Sequence, residues 1–304
     1  MILALILGVS AGCSIRSMAI NTLADTLGNS STVFASDEDP ELVREALPFS
    51  LKTVELLLAS SPEHKGLLLS ACSGFSQYAY AFIQTDAELA EWDNYAMADE
   101  LNTRARKMYI RARDYCLRRV ELDYPDITLR LQLEPEAAVQ EFGVEDVEMM
   151  YWLGGSWGLA ISIGLDQPSL AADLPAVRAL MAKALALDES FDRGALHGAL
   201  ITLESVPRAM GGSPERARKH FARAVELSDG MDASPYLSLA SSVSIETQNR
   251  TEFEDLLGSA LAIDADEEPN IRLLNLISQK RARHLLSLVD DLFSEPLVQQ
   301  EISQ

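Results

Sequence analysis

Residues 214–227 read PERARKHFARAVEL, and this stretch decides the fold class. Ala217, Phe221, Ala224 and Leu227 follow one another at steps of four, three and three residues. Such steps place side chains on one face of an α-helix, because a helical turn holds about 3.6 residues. The stretch therefore predicts an amphipathic helix with one small and apolar face.

The same order of side chains occurs three more times. The other copies are Ala105, Tyr109, Ala112 and Tyr115; Val177, Met181, Ala184 and Leu187; and Phe253, Leu257, Ala260 and Ile263. Ala184, Ala224 and Ala260 are 40 and 36 residues apart, and Ala112 precedes Ala184 by 72. A period in this range is typical of helix-pair repeats such as the tetratricopeptide motif. We therefore predict an all-α fold, an array of antiparallel helix pairs in a tetratricopeptide-like superhelix.

Three serine–proline pairs mark expected helix starts. They are Ser61 with Pro62, Ser213 with Pro214, and Ser234 with Pro235. A serine before the helix accepts a hydrogen bond from a free N–H, and proline at the first helical position loses no needed hydrogen bond. Long helices are expected at residues 41–60, 62–83, 99–120, 144–163 and 269–293, with an irregular stretch at 124–134. No alternating pattern typical of a strand occurs in the sequence.

The N-terminus carries an apolar run at residues 2–9, followed by small residues and Cys13. The run is too short to span a bilayer and is typical of a secretion signal. Its Ala-Gly-Cys ending is similar to a bacterial lipobox, in which the signal is cut before a lipidated cysteine. The alternative is an ordinary buried segment with a chance cysteine. The predicted divisions are a lipoprotein signal peptide at 1–12, an N-terminal helix and linker at 13–40, and a tetratricopeptide-like helical domain at 41–304.

The charge of the chain is strongly negative, with 46 acidic and 25 basic residues and a net value of −21. Such a surface repels phosphates, so nucleic acids and anionic lipid surfaces are poor partners, and membrane contact is expected only through the lipid anchor. We interpret the charge as a source of solubility, with acid-mediated docking as the alternative. The helix at 99–120 nevertheless carries seven basic residues. We interpret them as a solvated face that pairs with neighbouring acids, and an anion or partner site is the alternative.

Cys72 and Cys116 lie on two long helices that are expected to pair. In an oxidising compartment they have the opportunity to form a disulfide. Free cysteine is also a common small core residue, and neither spacing nor motif forces a bond. The sequence leaves both alternatives open.

Residues 154–158 read GGSWG and match the G-x-S-x-G pattern of serine hydrolases. That pattern needs a strand before the serine and a helix after it. Here the preceding residues predict a helix, so we interpret the segment as a small-residue ridge, and a hydrolase using Ser156 is a remote alternative. The four histidines lack metal-ligand spacing, and the sequence has no phosphate loop or dinucleotide fingerprint. We therefore predict no enzyme activity, no catalytic residue, no metal and no cofactor.

An aromatic cluster is the strongest candidate for ligand contact. Tyr151, Trp152 and Trp157, joined by Tyr80 and Trp92, are the candidate lining of a hydrophobic cavity, although core packing is the more common role of such rings. Tryptophan and tyrosine are large and often only partly buried, and they line binding grooves well. The alternative is core packing between helix pairs.

Several segments in this order resemble a known family. They are GCS at residues 12–14, YWLGGSWG at 151–158, DRGAL at 192–196 and AMGGSPERA at 209–217. Together, over almost the whole chain, they are similar to the T-component family associated with TRAP (tripartite ATP-independent) transporters. The resemblance implies a bacterial periplasmic lipoprotein of tetratricopeptide-like helices, with Cys13 as the lipidated residue. It implies no catalytic residue.

The resemblance also implies a function. The expected role is that of a lipid-anchored periplasmic adaptor that docks the solute-binding protein of a TRAP transporter. Its expected location is the cell envelope, at the outer membrane. It also implies handling of a small or hydrophobic ligand. The alternative is a lipoprotein scaffold for envelope assembly. We further expect self-association, because the glycine-rich helix and the segment 121–143 leave apolar surface at an edge of the array.

Overall fold

The computed structural model describes residues 31–294. The predicted signal peptide, the lipidation site Cys13 and most of the N-terminal helix and linker lie outside the described residues. Between residues 31 and 294 the chain forms helices and the turns that join them, and no strand. The all-α prediction is confirmed, whereas the tetratricopeptide-like superhelix stays a prediction.

The α-helices of the described chain follow each other with short connections. They are α1 (Ser31–Ala35), α2 (Pro40–Ser60), α3 (Lys65–Tyr78), α4 (Thr85–Ala90), α5 (Tyr95–Glu121), α6 (Ile127–Leu133), α7 (Pro135–Ala138), α8 (Val147–Ser162), α9 (Pro168–Ala171), α10 (Leu174–Leu187), α11 (Ala195–Glu204), α12 (Pro214–Leu227), α13 (Ser234–Leu239), α14 (Arg250–Ala262), α15 (Arg272–Ser287) and α16 (Val289–Leu292). A π-helical turn, Ala79–Gln84, joins α3 to α4, and a second, Ala240–Ser244, extends α13. Short 3-10 turns occupy Val139–Glu141, Val144–Asp146, Phe191–Gly194, Arg208–Met210 and Pro269–Ile271.

The four repeated segments lie on helices α5, α10, α12 and α14. The irregular stretch expected at 124–134 is wrong, because α6 occupies most of it. Pro125 breaks the backbone after α5, and Asp126 then takes a left-handed conformation with φ 63° that redirects the chain. Ile127 and Leu131 are buried from the new helix, and their burial stabilises it.

One serine–proline pair forms the expected capped helix start, one starts a helix without a serine cap, and one does not start a helix. The Ser213 hydroxyl accepts a hydrogen bond from the Arg216 amide at 3.2 Å, and Pro214 is the first residue of α12. The third pair opens α13. At the first pair, the Ser61 amide donates to Leu57 and ends α2 instead. The cap of α3 is His64, whose Nδ1 accepts from the Leu67 amide at 3.2 Å.

The last long helix packs against the first ones. Helix α15 contacts α1, α2 and α4. Arg272 donates to the Ser36 carbonyl at 2.8 Å, and the buried Arg281 donates to both carboxylate oxygens of Glu88 at 2.7 and 2.8 Å. The two ends of the described chain are therefore tied together, around a core that extends through most of the helices.

A disulfide joins α3 to α5. Cys72 and Cys116 are fully buried, with Cα atoms 5.4 Å apart, a separation usual for disulfides. The structure thus decides between the two alternatives that the sequence left open.

Three of the six arginines of the basic helix α5 lie on aromatic rings. The guanidinium carbons of Arg111, Arg113 and Arg118 lie 5.1 to 5.4 Å from the ring centroids of Phe75, Trp157 and Tyr115. A guanidinium at this distance is attracted to the ring face. These three side chains therefore serve packing, which the sequence did not predict. The expected pairing of the basic residues with neighbouring acids occurs in the ion pairs Arg111–Glu55, Arg113–Asp114 and Arg119–Asp123.

Two histidines join α11 to α12. The Nδ1 atoms of His197 and His220 are 2.8 Å apart, and the Nε2 atom of His197 lies 3.2 Å from a carboxylate oxygen of Glu189. Burial lowers the pKa of His197 below its ordinary 6.5, although Glu189 opposes the shift. Burial, and then the neighbouring His197, lower the pKa of His220. Glu204 raises the pKa of His220 and Arg216 lowers it, whereas Arg223 lowers the pKa of His197.

We expect this pair to make stability depend on pH just below neutrality. Because the folded-state pKa values are lowered, the unfolded chain binds more protons than the folded chain once the pH falls below 6.5. The contribution of the pair to the free energy of unfolding is fully present above pH 6.5. It decreases as the pH falls toward the lowered pKa values, by at most about 1.4 kcal/mol per pH unit for each histidine. The pKa of Glu189 is lowered to about 2, first by the hydrogen bond from Arg223, so its contribution is lost only below 4.5. The two windows are thus separate.

Urea unfolding at pH 7.5, 6.5 and 5.5 measures the effect. His220→Gln removes one titrating group and should flatten the decrease. His64→Asn is the matched control, since asparagine also caps a helix and His64 lies away from the pair. A His220→Gln variant with unchanged pH dependence would contradict the prediction.

Candidate functional site

A cavity of about 880 Å³ lies among the helices. Its walls come from α2, α3 with the π-turn after it, α8, α10, α11, α13 and α15. Sites for small molecules are typically cavities of about 300–1,000 Å³ with mostly apolar walls. The volume and the leucine, valine and isoleucine lining of this cavity therefore suit a small, largely apolar ligand.

Glycines leave part of this space empty. A Cβ atom built on Gly155 of α8 or on Gly198 of α11 would meet no atom within 4 Å. Gly154 and Gly158 instead bring α8 against α10, since their Cβ positions lie 3.2 Å from Met181 and 3.4 Å from Val177. The small-residue ridge thus has two roles, because two of its glycines allow close packing of helices and Gly155 opens the cavity.

Three of the five aromatic residues singled out in the sequence come together at the cavity. Tyr80, Tyr151 and Trp152 line it. The Tyr151 ring centroid lies 4.9 Å from that of Trp152 and 5.5 Å from that of Phe191, which also lines the cavity. These rings form one aromatic wall.

The other two aromatic residues lie elsewhere. Trp157 is only 1% exposed and packs in the core, where its Nε1 donates to Asp173 at 3.2 Å. Trp152 instead lines the cavity, because residues five apart in a helix lie about 140° apart around the axis. Trp92 is 51% exposed in the turn between α4 and α5 and does not line the cavity.

A polar network fixes Tyr80 in the wall. The guanidinium carbon of Arg281 lies 4.9 Å from the Tyr80 ring centroid, and Arg281 is held by the two bonds to Glu88. Tyr80 itself lies in the π-turn Ala79–Gln84, whose Thr85 cap donates to the Tyr80 carbonyl at 3.1 Å. Such single-turn π-bulges often occur at functional sites, since the extra residue re-aims the side chains.

One end of the cavity is acidic. Asp192 lies in the turn Phe191–Gly194, where Asp192, Arg193 and Gly194 have φ values of 42°, 59° and 91°. Consecutive left-handed residues are costly for side chains other than glycine, and such strain is concentrated at functional sites. Asp232 precedes α13, and one of its oxygens accepts from the Ser234 amide at 2.8 Å. Burial raises the pKa of both carboxyls, and for Asp232 the neighbouring Asp192 adds to the rise.

The sequence did not single out Asp192, Asp232 or Phe191 as site residues. Phe191 and Asp192 lie three and two residues before Gly194. Glycine favours left-handed turns, so Gly194 was the one local indication of a turn at these residues. Nothing in the spacing of Asp192 and Asp232 predicts that they share one cavity, because their proximity depends on the packing of α11 against α13.

The hydrolase alternative fails on geometry. Ser156 lies in the middle of α8, without a strand before it, and its hydroxyl donates to the Leu153 carbonyl at 3.1 Å. A nucleophile elbow needs a strained turn between a strand and a helix, so this serine is not one. Residues 31–294 also hold no group of three or more histidine, cysteine, aspartate or glutamate side chains arranged to bind a metal ion. Across the same part of the chain, every helix is too short or too polar to span a membrane.

Comparison with known proteins identifies the family. Residues 36–293 match the family model described as TRAP transporter T-component. The chain belongs to this family. The T-component also resembles an uncharacterized protein of Treponema pallidum (strain Nichols), with 30% identity over 302 residues that cover 93% of this chain and 94% of the relative. The match confirms the resemblance found in the sequence, and this family is a transporter-associated family rather than an enzyme family.

Proposed function

We propose that this T-component is a periplasmic, lipid-anchored adaptor of a TRAP transport system, which docks the solute-binding protein and holds a small apolar ligand in its cavity. The observation that carries the proposal is the 880 Å³ cavity with its aromatic wall, found in a chain of this family. A transporter component needs no catalytic residue, only a site and a partner.

The proposed compartment is supported by two independent features. The disulfide between Cys72 and Cys116 is of a kind that persists in oxidising compartments such as the bacterial periplasm. The apolar run at residues 2–9 and the small residues before Cys13 are typical of exported lipoproteins. Lipid on Cys13 would hold the helical part at the envelope, and we propose the outer membrane as its place.

The proposed ligand is held by the walls of the cavity. Transfer of apolar surface out of water favours binding by about 25 cal/mol per Å². The glycines at 155 and 198 leave the volume that such a ligand would occupy. A scaffold for envelope assembly, the alternative, would have no use for this volume.

Docking is tested with the chain from Cys13 onward, tagged at its C-terminus. Pull-down from a periplasmic extract of the organism that encodes it, followed by mass spectrometry, should recover the solute-binding protein of a TRAP system. Recovery of envelope-assembly proteins alone, at normal expression of the transporter, would contradict docking. Light scattering of the chain without residues 1–13, which lacks the Cys13 thiol, decides whether the protein self-associates, as we expect.

A further inference from the structure

The cavity has a chemically distinct end. The Tyr151, Trp152 and Phe191 rings meet there, and the carboxylates of Asp192 and Asp232 line the same space. The pKa of Tyr151 is raised by burial first and then by Asp192, Asp232 and Tyr80. This electrostatic effect agrees with the position of the carboxylates and the aromatic wall in the lining of one cavity.

Two polar groups at this end are open to a ligand. Among residues 31–294, neither the Tyr151 hydroxyl nor the Asp192 carboxylate forms a hydrogen bond. Tyr151 is half-buried and Asp192 is exposed where both line the cavity. Both groups can therefore interact with a ligand that carries donor groups or positive charge.

One cation, Arg193, also lines the cavity, and its charge opposes the rise in the pKa of both aspartates. Arg193 forms an ion pair with Glu268 and donates to the Ser228 carbonyl at 3.3 Å. Its one positive charge is therefore shared among Glu268 and the two aspartates, which leaves this end of the cavity with a net negative charge. The further charged residue lining the cavity is Glu148, which adds to the negative potential.

We propose that this acidic, aromatic end of the cavity binds the head of an organic ammonium ion, whose apolar tail occupies the rest. The inference rests on the proposed function, since it names the class of ligand for the same cavity. Aromatic faces attract quaternary and protonated amines, and the attraction grows when the site is desolvated. The two carboxylates also attract the positive head electrostatically, and they repel a ligand that has the same apolar tail and a carboxylate head.

Isothermal titration with three eight-carbon ligands tests the proposal. The probes are octyltrimethylammonium, octanol and octanoate, each with the chain from Cys13 onward. We expect the ammonium ion to bind at least about tenfold more tightly than octanol, and octanoate to bind more weakly than octanol. Equal affinity for the ammonium ion and the alcohol, or tighter binding of octanoate, would overturn the inference and leave apolar-ligand binding intact. Binding of none of the three would overturn both.

Conservative variants locate the effect. Asp192→Asn and Asp232→Asn remove charge and keep the fold, because asparagine tolerates left-handed backbone and retains the oxygen that accepts from Ser234. Each should weaken octyltrimethylammonium binding by about tenfold and leave octanol binding unchanged. Asp99→Asn is the charge-matched control, since Asp99 is exposed on α5 and outside the cavity. An equal loss in Asp99→Asn would show a general charge effect and overturn the site.

Discussion

Tryptophan at both Gly155 and Gly198 should abolish binding of apolar ligands and leave the protein folded. Each substitution directs an indole into cavity space, because a Cβ atom at either position meets no atom within 4 Å. Gly155 follows Tyr151 by four residues, so its new side chain lies on the same helix face as the aromatic wall. The indoles would occupy the contacts that a ligand needs, and we expect affinity to fall at least tenfold for one substitution and beyond detection for both.

Stability should not fall with this loss. Replacing glycine inside a helix by another residue generally favours the helix, since glycine has a poor helix propensity. Binding is measured through the fluorescence of N-phenyl-1-naphthylamine, a neutral apolar probe, and folding through urea unfolding. Gly258→Trp is the matched control, because Gly258 lies in α14 with no atom within 4 Å of its Cβ position but is exposed and outside the cavity. Undiminished probe binding in the double variant, or an equal loss in Gly258→Trp, would exclude the cavity as the ligand site.

Removal of the disulfide should reduce the free energy of unfolding by about 4 kcal/mol. Cys72 and Cys116 are 44 residues apart, and loop closure of that length restricts the unfolded chain by this amount. The effect is a large part of the stability of a typical domain, which is only 5–15 kcal/mol. Cys72→Ala with Cys116→Ala is the variant, and urea unfolding is the measurement.

Chemical reduction provides the control for this variant. The wild-type chain unfolded and refolded in the presence of dithiothreitol keeps both sulfur atoms in the core but lacks the cross-link. We expect it to be destabilised nearly as much as the double alanine variant, because both lose the same constraint on the unfolded state. Equal stability of the oxidised and reduced wild-type chain would contradict the prediction.

Local signals in the sequence predicted the helices well. The steps between Ala217, Phe221, Ala224 and Leu227 define a helical face without reference to the rest of the chain, and α12 spans them. At α6 the signal was misleading, because Pro125 suggested a longer break than the chain makes. Asp126 absorbs the change of direction in one left-handed residue, and the buried Ile127 then resumes the helix. Pattern alone does not show how short a break is.

The cavity was less predictable, because it depends on packing between distant segments. Trp152 and Trp157 lie five residues apart on one helix, and only the positions of α5 and α10 decide which of them is core. Asp192 and Asp232 are joined by the arrangement of α11 and α13, which no spacing encodes. The aromatic wall was therefore predictable in part, through Tyr80, Tyr151 and Trp152, whereas the acidic end was not.

The contact of α15 with α1, α2 and α4 restricts the gain or loss of helix pairs in such a chain. In an open array, a helix pair can be gained or lost at an end, because each unit touches only its neighbours. Here Arg281 reaches Glu88 and Arg272 reaches Ser36, so the end of the series meets its beginning. One more pair would separate these partners, and one fewer would leave a gap. Within residues 31–294, closure thus limits the number of helices, and with it the size of the molecule that fits inside.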